Sequence, residues 1–178
     1  KIYIERLANV GVITPEEAVN YNLVGPNLRA CGIKWDIRKD IPYSVYPEFE
    51  FDVPIGDGHW GKLGDSMDRY VVRIREMAES SKILRQALQK IPSGPVLAKV
   101  ARNFKPPHGE CQIRLESGRG DMGWYVVSDG TGYPWRVHVR TGSFAAMGII
   151  QKLSAGLMIA DLVTLIASLD VIAPEIDR

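Results

Sequence analysis

The stretch from Asp65 to Ile91 constrains this chain more than any other. Apolar side chains at Met67, Tyr70, Val71, Ile74, Met77, Ala78, Leu84, Leu88 and Ile91 recur every three or four residues, which marks one face of a helix. Asp65 stands where a capping side chain belongs, and Pro92-Ser93-Gly94-Pro95 ends the run. At the α-helical rise the element is about 40 Å long. A chain of 178 residues cannot cover such a helix alone, so partner surfaces are expected along part of it.

The remaining segments arrange themselves around that rod. Thr14-Pro15-Glu16-Glu17 is a helix start, with a capping Thr, a Pro suited to the first turn and carboxylates at the positive end of the dipole. This helix ends near Tyr21-Asn22, and Gly25-Pro26 opens another turn or two, through Cys31. From Trp35 to Gly64 the pattern is irregular and broken by Pro42, Pro47 and Pro54, as in a long segment clamped by its neighbours. Strand-like runs follow at Glu110–Glu116, Gly123–Ser128 and Pro134–Arg140, joined by Gly118-Arg119-Gly120 and Asp129-Gly130-Thr131-Gly132. Alternation from Trp135 to Arg140 implies one wet face. Helical material runs from Ser143 to about Leu169, interrupted near Ser154-Ala155-Gly156. The fold class is therefore α+β, long helices with a small antiparallel sheet.

Composition narrows the function classes. A formal net charge of +1 offers no bulk attraction for nucleic acid or an acidic membrane surface. Cys31 and Cys111 share no ligand or disulfide spacing, which argues against a disulfide framework and a structural zinc site. Lys152, Asp161 and Asp170 punctuate the last apolar stretch, so no transmembrane segment is expected. The glycines from Gly56 to Gly64 match neither a Walker loop nor a dinucleotide fingerprint. His59, His108 and His138 are scattered and read as ordinary structural or surface residues. Asp68, Arg69, Arg73 and Glu76 read most simply as an ion-paired helix face. Arg119, flanked by glycines in a turn between strands, can be aimed into a cavity to hold an anion or a carbonyl; alone, such a residue is more often a structural turn Arg. The chain begins at Lys1 rather than Met and shows no signal peptide, as expected of an excised piece.

One ordered string of motifs carries a family resemblance. It comprises Leu28-Arg29-Ala30-Cys31-Gly32-Ile33-Lys34-Trp35-Asp36-Ile37-Arg38-Lys39, Pro42-Tyr43-Ser44, Phe51-Asp52-Val53-Pro54, and Gly64-Asp65 with Asp68-Arg69-Tyr70 and Arg73. It continues through Glu116-Ser117-Gly118-Arg119-Gly120, Val127-Ser128-Asp129-Gly130 and Ser143-Phe144 to Ser168-Leu169-Asp170 and Glu175-Ile176-Asp177-Arg178. End to end, the chain resembles the C-terminal part of the hydrogenase-large-subunit-like family of respiratory complex I, the NADH-quinone oxidoreductase, with the N-terminal portion missing. The family usually has Pro where Gly118 stands and Glu where Asp121 stands, and Ala-Pro or Thr-Pro-Ser-Phe around Thr141-Gly142-Ser143-Phe144.

The resemblance implies the fold of the [NiFe]-hydrogenase large subunit, docked on an iron–sulfur subunit of a NADH:quinone oxidoreductase. It also implies a cavity for quinone between the two. Hydrogenases end in D-P-C-x-x-C-x-x-H. Laid on Asp170 to Arg178, the two Cys positions become Ile172 and Glu175 and the His becomes Arg178. Nickel–iron chemistry needs soft thiolates, so hydrogenase activity is excluded and no metal on this chain is expected. What the resemblance leaves is a quinone-cavity wall of Asp170, Ile172 and Arg178, with Arg119 beside them. The iron–sulfur cluster would lie on the partner subunit and NAD on other subunits. The membrane arm would be reached only by association, with the chain on the cytoplasmic side. The alternatives are a non-catalytic scaffold, or a homologous subunit of a ferredoxin- or coenzyme-linked membrane oxidoreductase.

Overall fold

A computed structural model describes residues 1–177. The chain opens with α1 (Ile2–Leu7), a short helix that periodicity does not announce. In α2 (Pro15–Asn20) the Thr14 hydroxyl accepts from the Glu17 N–H while the Glu17 carboxylate accepts from the Thr14 N–H, a reciprocal cap. Next come α3 (Gly25–Ala30) and α4 (Ile37–Asp40), the latter started by the Asp36 carboxylate. The long helix is α5 (Ser66–Lys90), capped by Asp65 as its sequence indicates. Three strands, β1 (Gly109–Ser117), β2 (Gly120–Ser128) and β3 (Arg136–Arg140), form an antiparallel meander. The chain ends in α6 (Gly142–Ser154), α7 (Ile159–Leu169) and the single turn α8 (Ala173–Ile176). This is the expected α+β arrangement. Among the described residues no helix is long and apolar enough to cross a membrane.

The core sits where the small helices meet α6 and α7. Ile13, Ala18, Leu23, Leu28 and Cys31 pack against Ala146, Ile149, Leu165 and Leu169, all buried, with Trp35, Leu153 and Leu162 around them. Burying a side chain of this kind is worth about 1.5–3 kcal/mol. A second cluster explains the long irregular segment. Phe49, Phe51 and Val53 pack on Ile83 and Ala87 of α5. The strap is also stitched by its backbone, since the Asp52 N–H donates to Glu79 (2.9 Å), Glu50 exchanges bonds with Gln86, and Lys90 Nζ donates to the Glu48 carbonyl (2.7 Å). The clamping neighbour is thus α5 itself. Its other side stays open: Tyr70, Ile74, Met77, Leu84 and Leu88 are exposed.

The ion-paired helix face expected of Asp68, Arg69, Arg73 and Glu76 does not form. Each side chain turns instead to a distant partner. Asp68 accepts the N–H groups of Gly58 and Gly64. Arg69 is fully buried and donates to the carbonyls of Gly64 (2.8 Å) and Gly11 (2.9 Å) and to the hydroxyls of Ser66 and Ser168. Glu76 holds Arg29 Nε at 2.6 Å. The same Arg29, buried in α3, pairs with Glu116 of β1 at 2.9 Å and with Asp36 at 3.5 Å. These ties fasten the sheet to the helical layer, and the Tyr43 hydroxyl adds another by accepting the Glu116 N–H. Buried charges of this kind persist only when paired.

Candidate functional site

The turn between β1 and β2 carries Arg119, and glycines allow it to lie against the helices. Gly120 (φ +108°) meets Gly25 (φ +61°) at the start of α3, backbone to backbone, so that a Cβ on Gly120 would stand 2.6 Å from the Gly25 Cα. A Cβ on Gly142, at the start of α6, would stand 2.6 Å from the Arg119 carbonyl oxygen. Only glycine permits both the positive φ and this approach. The Ser117 hydroxyl closes the turn, donating to the Gly120 carbonyl and accepting from the Arg119 N–H. Gly118, where the family usually has Pro, faces open space, so the docking does not depend on it. Asp121 is buried and pairs with Arg114 and Arg140 inside the sheet.

From this turn Arg119 reaches the end of α7. Its Nη2 donates to Asp170 Oδ1 at 3.2 Å, and its Nε donates to the Asp170 carbonyl at 3.4 Å. Asp170 is the left-handed residue (φ 54°, ψ 49°) that terminates α7, a conformation that Asp tolerates better than most residues. A second guanidinium approaches from α5, with Arg73 Nε 3.8 Å from Asp170 Oδ2. Two of the sequence-derived candidates, Arg119 and Asp170, are therefore brought together, with an unanticipated arginine on the other carboxylate oxygen.

Arg73 and Asp170 also share the wall of a cleft of about 580 Å³ between α1, α5 and α7. The rest of that wall is largely apolar, including Leu7, Tyr70, Val163 and Ala167, and Tyr3 stacks on Tyr70 with ring centroids 5.3 Å apart. An apolar slot with a few convergent polar groups is the usual form of a small-molecule site. A carboxylate held between two guanidinium groups can anchor a polar head by accepting its hydrogen bonds on the remaining lone pairs.

The tail follows directly. Ile172 is half-buried and starts α8, its N–H donating to the Ser143 hydroxyl (3.3 Å). Glu175 fastens the turn to α6, accepting the Ser143 hydroxyl on its carboxylate and the Thr141 hydroxyl on its carbonyl. Ile172 thus sits near Asp170 in the chain but does not line the cleft, as far as the described residues go. Arg178 lies outside the described residues. The two positions that bear thiolates in hydrogenases carry a hydrocarbon and a hydroxyl-bonded carboxylate. Among the described residues no cluster of His, Cys, Asp and Glu is placed to hold a metal ion.

Two residues beside Asp170 are not among the site candidates drawn from the sequence: Asn27, and Arg73, whose spacing suggests only an ion-paired helix face. Asn27 is buried; its Nδ2 donates to the Leu169 carbonyl at 3.0 Å and its Oδ1 accepts from Arg73 Nη2 at 3.0 Å. One signal pointed to Arg73. It follows Arg69 by four residues, and like charges at that spacing repel on a solvated helix face, so at least one needs a partner elsewhere in the fold.

The family model described as respiratory-chain NADH dehydrogenase, 49 kDa subunit, matches residues 1–103 and 97–178. The chain is 61% identical over 178 residues to a D subunit of NADH-quinone oxidoreductase from Anaeromyxobacter dehalogenans (strain 2CP-C), covering 100% of this chain and 47% of that protein. It is 57% identical over 180 residues to a D subunit of NADH-quinone oxidoreductase from Sorangium cellulosum (strain So ce56), covering 99% of this chain and 46% of that one. Against the corresponding NADH-quinone oxidoreductase D subunit of Bacillus cereus the identity is 45% over 178 residues, 99% of this chain and 47% of the relative. The chain thus spans about half the length of the curated relatives it matches.

Proposed function

The chain belongs to the family of the 49 kDa subunit of respiratory-chain NADH dehydrogenase, and on that premise we propose that it builds part of the quinone-reducing site of a complex I-type NADH:quinone oxidoreductase. The observation that carries the reading is the Asp170 carboxylate held between Arg119 and Arg73 beside an apolar cleft. In this reading electrons come from an iron–sulfur cluster on a neighbouring subunit, and NADH is oxidised on other subunits. The present residues supply shape, charge and a proton-exchanging carboxylate. Asp170 faces the polar head of the quinone and Arg119 holds that carboxylate from behind; Ile172 and Arg178, which the family resemblance assigns to the same cavity, belong to it only where the assembled complex extends the wall beyond this cleft. The chain acts as the C-terminal portion of its domain, in a peripheral arm on the cytoplasmic side of the membrane.

A scaffold reading draws on the open apolar side of α5, which suits a large interface in either case. A photoreactive quinone analogue bound to the assembled complex separates the two. Labelling within residues 159–177 is expected of a quinone-site wall. Labelling confined to other subunits would leave the chain a scaffold.

A further inference from the structure

Arg73 is the least explained residue near Asp170. Its guanidinium is mostly buried, and two of its nitrogens are committed: Nη1 donates to the Arg69 carbonyl at 3.0 Å and Nη2 to Asn27 Oδ1 at 3.0 Å. The third, Nε, is buried and without a hydrogen-bond partner among the described residues. An unmet buried donor is costly and calls for a reason. The reason on offer is Asp170 Oδ2, 3.8 Å away: an ion-pair distance, just beyond a hydrogen bond.

The surrounding bonds hold this relation rather than relieve it. Asn27 bridges Arg73 to the Leu169 carbonyl, so one buried amide fixes both the guanidinium and the backbone immediately before Asp170. Arg119 binds the opposite carboxylate oxygen from the β1–β2 turn. Helices α3, α5 and α7 and the sheet therefore converge on a single carboxylate that borders the cleft.

Resting on the quinone-site reading above, we infer that Arg73, locked by Asn27, is a positioning residue that sets where the Asp170 carboxylate stands at the cleft. It acts through Asp170, not on the substrate. The competing role is a plain strut between α3 and α5, and a double-mutant cycle tells the two apart. In the assembled complex, quinone reduction is measured for wild type, Arg73→Gln, Asp170→Asn and the double variant. Cluster reduction by the donor is followed by EPR to show that electron delivery is intact.

Arg73→Gln is expected to lower kcat roughly tenfold in the wild-type background and to add no further loss in the Asp170→Asn background. Equal losses in both backgrounds would overturn the inference, since a strut weakens either enzyme alike. Asp170→Asn without effect on quinone reduction would instead remove the site reading itself. Should Arg73→Gln not assemble, Arg73→Lys carries the same cycle, because it keeps the charge and loses the planar fork. A loss present only with Asp170 supports the inference there too, and equal losses contradict it.

Discussion

Gly120→Ala should disable the site without touching any polar group in it. The added Cβ would stand 2.4 Å from the Gly25 nitrogen and 2.6 Å from its Cα, against an ordinary contact of 3.4 Å or more, and the atoms it meets are backbone. The β1–β2 turn must then retreat by about 1.0 Å, the smallest shift that restores van der Waals separation. Carried to the guanidinium, that shift lengthens Arg119 Nη2–Asp170 Oδ1 from 3.2 Å to about 4.2 Å, past hydrogen-bond reach. Holding Ala at φ +108° costs a further ~1–3 kcal/mol. Misplacement on this scale lowers turnover by up to ~100-fold. The assay is steady-state quinone reduction by the assembled complex, with Arg119→Gln measured in parallel. The two variants should fall together, and Arg119→Gln should cost little more once Gly120→Ala is present. A Gly120→Ala enzyme with wild-type kinetics would refute the idea that the glycine contact places Arg119.

Three further outcomes follow from buried groups. Burial pushes the Cys31 thiol up to about 12, so at pH 8 its thiolate fraction is on the order of one in ten thousand; iodoacetamide should modify exposed Cys111 in the folded chain and Cys31 only after denaturation, as read by mass spectrometry. Burial alone would raise the Asp36 carboxyl, but the Arg38 fork and the nearby Arg29 outweigh it and hold the group below the usual carboxylate range. A depressed carboxyl stabilises the fold above its unfolded value of about 3.9 and loses that contribution as pH falls through the folded one, so the stability gap between wild type and Asp36→Asn in urea titrations should hold from pH 7 to about pH 4 and narrow below that. Arg69→Met orphans the Gly11 carbonyl, while the Gly64 carbonyl keeps the Ile13 N–H; leaving the one buried acceptor unmet costs about 1–3 kcal/mol, so denaturation should show a loss of at least that size, and a variant as stable as wild type would count against that role.

Local signals in the sequence reached as far as local physics does. The long helix, its Asp65 cap and its stop were readable because periodicity, capping and Pro-Gly punctuation all act within a few residues. The Thr14–Glu17 cap and the three strands were readable for the same reason, although β2 begins three residues earlier than its alternation suggested. The roles of Asp68, Arg69, Arg73 and Glu76 were not readable. Their spacing fits an ion-paired helix face, and only packing shows that each is spent on another segment. Arg119 announced itself by its flanking glycines, yet its partner lies 51 residues away. The turn α8 and helix α1 are too short for periodicity to register, and nothing local to Asn27 marks the two bonds its side chain makes.

Replacing Asp170 by Asn in the assembled complex tests whether this carboxylate serves quinone reduction. The Asn keeps the size of the side chain and removes its charge and its capacity to take up and release a proton. Quinone reduction should fall roughly tenfold or more, while the donor still reduces the neighbouring iron–sulfur cluster to the wild-type extent. Unchanged quinone kinetics in an Asp170→Asn complex with a reducible cluster would contradict the assignment of this carboxylate to the quinone site.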